Sequence, residues 1–162
     1  MAPSDRWGDW RHWSWWIATL AGIGRLPIAP GSWGSLVTAL AAFAIFHYLS
    51  IIYIFLLISV ITLIGVRASG VYGRRQAVED PQDVVIDEVA GQMLALAFAP
   101  PHWAWYLAGF ALFRLFDITK PFPANWCDRN LKGGIGVMAD DLVAGLYAMI
   151  LIALGDYLVR SI

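Results

Sequence analysis

Residues 36–66 contain no charged side chain, and this constrains the fold more than any other feature of the chain. As one helix the run would reach roughly 45 Å at ~1.5 Å per residue, well past a hydrocarbon core of ~30 Å. A helical hairpin turning near residues 47–50 accommodates it, with two short arms. Such a hairpin needs lipid around it. Composition agrees, because 59% of the 162 residues are hydrophobic and 14% charged, against ~45–50% apolar and ~25% charged in soluble domains. The expectation is an all-α fold, a polytopic helical membrane bundle forming one domain over residues 1–162, with the lipid bilayer as its first partner.

Three further helices are expected. In "EDPQD", Asp80 suits an N-cap, Pro81 the first helical position and Asp83 an acidic first turn, so a helix is predicted over residues 80–99. Pro100 and Pro101 force a turn, a returning arm covers residues 102–120, and a last apolar helix runs over residues 140–159. At the other end Trp7, Trp10, Trp13, Trp15 and Trp16 crowd the start of the chain, as in a segment lying at the headgroup level. Residues 1–23 are therefore read as an interfacial anchor that does not span. The apolar stretch behind them is short and broken by Gly22, Gly24 and Pro27, so no secretory leader is expected.

The loops set the orientation. Arg25 precedes the hairpin, Arg67, Arg74 and Arg75 follow it, and Arg114, Lys120, Arg129 and Lys132 follow the second pair of helices. Nearly all the positive charge falls on one side, which the positive-inside rule makes cytoplasmic; only Arg160 dissents. A net charge of −1 excludes a broad basic surface for nucleic acid. The single cysteine, Cys127, excludes a disulfide framework and any multi-cysteine metal site. His12, His47 and His102 fall in the interfacial segment or at the far turns, away from the charged side.

On that charged side the acids gather. Asp87 and Glu88 lie about two turns into the third expected helix, Asp117 ends the fourth, and Asp140 and Asp141 begin the fifth. An acid in or near the bilayer is costly unless it is paired or holds a metal, which makes each one a functional candidate. The plainer alternatives are an N-cap role for Asp140 and ion pairing with Arg114 or Lys120. In "VIDEVAGQ" Asp87 precedes Gly91 by four residues, and in "ADDLVAGLY" Asp141 precedes Gly145 by four, so each acid shares a helix face with a glycine where another backbone can approach. Close packing there brings carboxylates within reach of one cation. An oxygen-rich site without His or Cys suits Mg²⁺ rather than zinc.

The segment "FRLFDITKPFP", residues 113–123, adds Arg114 and Lys120 to Asp117 at three-residue spacing, and its prolines end the helix. A cation among acids, flanked by Arg114, Lys120, Arg129 and Lys132, describes a site for a phosphorylated ligand. The loop "LPIAPGSWGS" contributes Gly31 and Gly34 for tight turns, and Ser32 or Ser35 as a cap for the first membrane helix, leaving amides to face an anion.

At these residues the chain resembles the phosphatidylglycerophosphatase A family. "LPIAPGSWGS", "DVVIDEVAGQ", "FRLFDITKPFP" and "GGIGVMADDLVAGLYA" are similar to its four signature blocks, in order, across most of residues 24–148. The resemblance implies a mostly helical enzyme of the bacterial inner membrane, its site toward the cytoplasm. It further implies a Mg²⁺-dependent hydrolase that removes the terminal phosphate of phosphatidylglycerophosphate to leave phosphatidylglycerol. Block by block, the matching polar positions are Asp87 and Glu88, then Arg114, Asp117 and Lys120, then Asp140 and Asp141. The five acids are the expected catalytic and metal-binding residues. Lys120, Arg114, Gly31, Ser32, Ser35, Arg129 and Lys132 are the expected phosphate-binding ones. Ser32 stands where the family usually has threonine, and the hydroxyl is kept. Two other classes compete with this reading: a lipid head-group phosphotransferase, whose Asp-Gly and Ala-Arg signature is absent, and a cation transporter, which needs acids near the bilayer midplane.

Overall fold

The structure is a computed structural model and describes residues 10–161. Trp7 lies outside the described residues. Among those described there is no strand, and seven α-helices account for the architecture: α1 (Trp13–Ala18), α2 (Pro30–Ile45), α3 (Ile51–Gln76), α4 (Ile86–Ala95), α5 (Trp103–Thr119), α6 (Ala124–Asn130) and α7 (Gly133–Arg160). The hairpin turn falls where expected, in a short 3-10 stretch at Phe46–Tyr48 followed by Ser50 at the start of α3. Its arms are longer than expected, because α2 begins at Pro30 and α3 continues past the uncharged run to Gln76. Two helices, α3 and α7, are long and apolar enough to cross a membrane. They measure about 39 and 42 Å at ~1.5 Å per residue. Large apolar side chains such as Leu40, Ile52, Leu63, Leu107 and Leu154 stand exposed on the outer faces of α2, α3, α5 and α7.

The helix predicted over residues 80–99 is shorter than expected. Asp80 is no N-cap and Pro81 is not helical; α4 starts only at Ile86. Tertiary contacts hold the preceding segment out of the helix. The Val85 N–H donates to the Ala18 carbonyl at 2.8 Å. Asp83 accepts a 2.6 Å hydrogen bond from the Tyr72 hydroxyl and lies 2.7 Å from Arg25, which itself donates to Tyr72. Asp87 and Glu88 consequently occupy the first turn of α4, where carboxylates are favoured by the helix dipole, not a position two turns inside.

The last helix is longer than expected. It starts at Gly133, seven residues before Asp140, so the N-cap reading of Asp140 fails. Gly134, in its first turn, lies against the Val66 carbonyl of α3, a contact that leaves no room for a side chain. The short α6, inserted after Pro123, was not foreseen. In the tryptophan segment Trp10, Trp13 and Trp16 are exposed while Trp15 is 7% exposed and part of the core, a correction to its reading as interfacial.

At the centre α4 packs on α7 through glycine. A Cβ on Gly145 would collide with the Gly91 carbonyl, and one on Gly91 would stand 2.5 Å from the Phe113 ring and 2.6 Å from the Asp141 carbonyl. The close approach anticipated from the Asp87–Gly91 and Asp141–Gly145 spacings is thus realised. Gly91→Ala should cost about 1–3 kcal/mol through overpacking, read as a lowered midpoint of thermal unfolding in detergent. An unchanged midpoint would mean that the two backbones are not in contact there.

Candidate active site

One end of the bundle holds a cavity of about 490 Å³, bordered by the first turn of α2, the segment before α4, the ends of α5 and α6 and the first two turns of α7. The opposite end carries the turns at residues 46–51 and 97–101, with Arg160 beside them. All five predicted acids border the cavity, as do Gly31, Arg114, Lys120, Arg129 and Lys132.

The acids divide into two groups. Asp87, Glu88 and Asp141 each bring a carboxylate oxygen within 4.8 Å of the others. The Glu88 N–H donates to Asp87 Oδ1 at 3.0 Å, which fixes the first of these side chains against the helix start. Glu88 Oε2 and Asp141 Oδ2 are buried and meet no hydrogen-bonding partner in the protein. Carboxylates at such separations repel by roughly 3 kcal/mol per pair at an effective dielectric of ~20. Arg114, whose Nη1 is 3.8 Å from Glu88, offsets part of that.

Asp117 and Asp140 are instead paired with bases, as the plainer reading of the acids had it. Arg114 Nη1 lies 2.6 Å from Asp117, one turn on along α5. Lys120 Nζ donates to Asp140 at 2.7 Å and to Asp128 at 2.5 Å. Lys120 is the C-cap of α5, with φ +43°, so it leaves the helix and turns back over the cavity as Pro121 prevents the helix from continuing. Burial opposes its charge, but the hydrogen bonds and the fields of Asp128 and Asp140 outweigh that and raise its pKa, so the ammonium stays charged.

The basic rim is completed by Arg129, exposed at the end of α6, and by Lys132, whose Nζ is 3.4 Å from Glu79. Gly31 sits in the first turn of α2 with its α-carbon against Glu88 Oε1, where any side chain would strike the carboxylate. The serine cap is not formed: Ala29 is the N-cap, without a side-chain bond, and Pro30 opens the helix. Ser35 is buried and donates its hydroxyl to the Gly31 carbonyl at 2.8 Å, while the Ser32 N–H bonds to the Ala29 carbonyl at 2.9 Å. Neither serine borders the cavity. Sequence reasoning missed Asp128, the second partner of Lys120, because α6 was unrecognised; its only signal was a charged pair, Asp128 and Arg129, directly after the proline turn.

Comparison with known proteins gives the family. A family profile described as Phosphatidylglycerophosphatase A matches residues 16–156. A Bacteroides thetaiotaomicron protein provisionally named as a phosphatidylinositol-3-phosphatase is 48% identical over 84 residues, covering 50% of this chain and 52% of its own. Proteins named phosphatidylglycerophosphatase A are 47% identical over 76 residues in Haemophilus influenzae, covering 46% and 47%, and 40% identical over 96 residues in Escherichia coli, covering 56% and 55%. The matched region thus spans about half the length of these curated relatives. No solved structure matches the chain. With a profile match that takes in all the acids and bases of the cavity, the chain belongs to the phosphatidylglycerophosphatase A family.

Proposed function

We propose that this protein is a Mg²⁺-dependent lipid phosphatase that hydrolyses phosphatidylglycerophosphate to phosphatidylglycerol and phosphate. The observation that carries the reading is the Asp87, Glu88 and Asp141 cluster, with two buried oxygens left unpartnered, in a cavity that Arg114 and Lys120 also border. A triad of carboxylates lacking His and Cys is the donor set of a hard cation, and the free oxygens fit one. Asp87, Glu88 and Asp141 would hold Mg²⁺, with Asp117 and Asp140 supporting it through the bases they orient. When bound, Mg²⁺ supplies Lewis-acid charge to the phosphate oxygens and to the attacking water.

The chain's own groups do the rest. Arg129 and Lys132 at the rim attract the anionic head group with its two phosphates, and Lys120, fixed by Asp128 and Asp140, meets the oxygens of the terminal phosphate. Its ammonium offsets the charge that builds on those oxygens as the water oxygen bonds to phosphorus and the ester bond to glycerol breaks. Direct attack by water is preferred to a phospho-enzyme, since no acid of the cavity stands in a known phosphoryl-acceptor motif.

The same reading places the chain in the bacterial inner membrane as a multi-pass protein. In that placement α3 and α7 cross with α2 and α5 beside them, the cavity opens at the cytoplasmic headgroup level, and exposed Trp10, Trp13 and Trp16 rest at that interface. Head-group choice tests the proposal. Purified protein in mixed micelles should release phosphate from phosphatidylglycerophosphate faster than from phosphatidic acid or phosphatidylinositol 3-phosphate. A preference for the inositol lipid would move the substrate to the one that the Bacteroides relative's name carries.

A further inference from the structure

The last residue of "DEVAGQ" has no part in the chemistry described so far. Gln92 lies in α4 with 0% exposure, and neither its amide oxygen nor its amide nitrogen meets a hydrogen-bonding partner in the protein. Buried side-chain polar groups are nearly always paired, so an amide left with both ends open calls for a reason. Packing alone does not supply one, because Met or Leu fills a similar volume without orphaned polar atoms. One turn nearer the cavity, on the same face of α4, stands Glu88, whose Oε2 is also buried and unpartnered. The facing helix takes the same step: Gly31 of α2 lies against Glu88, and one turn deeper comes buried Ser35, tied back to the Gly31 carbonyl. Polar groups therefore continue one turn below the carboxylate cluster on both helices.

We propose that Gln92 is a positioning residue for the cation site: its amide N–H donates to the free Glu88 oxygen, directly or through one water, when Glu88 holds the cation. The donor fixes which Glu88 oxygen faces the ion and limits rotation of the carboxylate, as outer partners of metal ligands commonly do. This rests on reading Asp87, Glu88 and Asp141 as the cation site.

The test uses the full chain in detergent, stripped by chelation and titrated with Mn²⁺, with binding followed by electron paramagnetic resonance. Gln92→Met should bind Mn²⁺ about 10-fold more weakly or worse, while its metal-free form unfolds at the same temperature or higher. A merely structural glutamine predicts the reverse, a lowered unfolding temperature with unchanged Mn²⁺ binding, and that result overturns the proposal. If Gln92→Met does not fold, the unsubstituted protein labelled with ¹⁵N-glutamine decides. The chain's glutamines are Gln76, Gln82 and Gln92, and Gln76→Asn and Gln82→Asn variants assign the remaining side-chain amide. Saturating Mg²⁺ should shift the Gln92 amide resonance, and an unmoved resonance rejects its role. Failure of the unsubstituted protein to bind Mn²⁺ at all defeats the metal reading and this inference together. Normal binding by Gln92→Met defeats the inference alone.

Discussion

Asp141→Asn is expected to lower phosphatase turnover by at least two orders of magnitude while the protein still inserts and folds. Asp141 is 4% exposed, supplies one of the clustered oxygens and keeps a second oxygen free. An amide matches the shape of the carboxylate but removes its charge. Because the three carboxylates repel one another in the metal-free protein, the same change should raise, or leave unchanged, the unfolding temperature after chelation. Asp87→Asn and Glu88→Gln should behave alike. Asp117→Asn and Asp140→Asn act on Arg114 and Lys120 instead, and their losses should be smaller and less dependent on Mg²⁺ concentration. Near-normal turnover in both Asp87→Asn and Asp141→Asn would remove the shared site from the account.

Lys120→Ala is expected to cost about 3 kcal/mol or more of transition-state stabilisation, the scale seen when one preorganised electrostatic group is removed. The fixed bonds to Asp140 and Asp128 make the ammonium a preorganised charge, and its removal also leaves Asp140, 7% exposed, without its cation. Lys120→Arg should remain impaired, since a planar fork cannot reproduce a compact ammonium held between two carboxylates. Kinetics on vesicles at saturating Mg²⁺ distinguish the outcomes. Unchanged kcat and KM in Lys120→Ala would reduce the basic residues to signals of orientation and withdraw the phosphate-binding half of the proposal.

The sequence made the class of fold and the cast of the site legible for local reasons. Charge-free residues 36–66 admit few alternatives to a hairpin, and the acid-to-glycine spacing of four directly encodes the α4–α7 contact. Helix boundaries were less legible wherever a distant contact decides them. Asp80, Pro81 and Asp83 compose a good local start signal, yet Asp83 is drawn away by Arg25 and Tyr72, and α4 starts five residues beyond Pro81. Likewise the last helix, expected from Asp140, starts at Gly133, where Gly134 packs against α3. Within the site, proximity along the chain could not separate acids that cluster from acids that pair. The distinction between Asp141 and Asp140, neighbours on one helix, comes from their pointing about 100° apart, one toward α4 and the other toward Lys120. A role for Gln92 was not legible even though it ends the block "DVVIDEVAGQ", because an amide beside a glycine is unremarked until its burial is known.

The three-carboxylate cluster is what we propose makes this chain a cation-dependent lipid phosphatase. The deciding measurement is phosphate release from phosphatidylglycerophosphate by the purified protein before chelation, after it and after Mg²⁺ is restored. Chelation should abolish turnover and Mg²⁺ restore it in the unsubstituted protein, with no restoration in Asp141→Asn. Full turnover in the presence of chelator, or no phosphate release under any of these conditions, would contradict it.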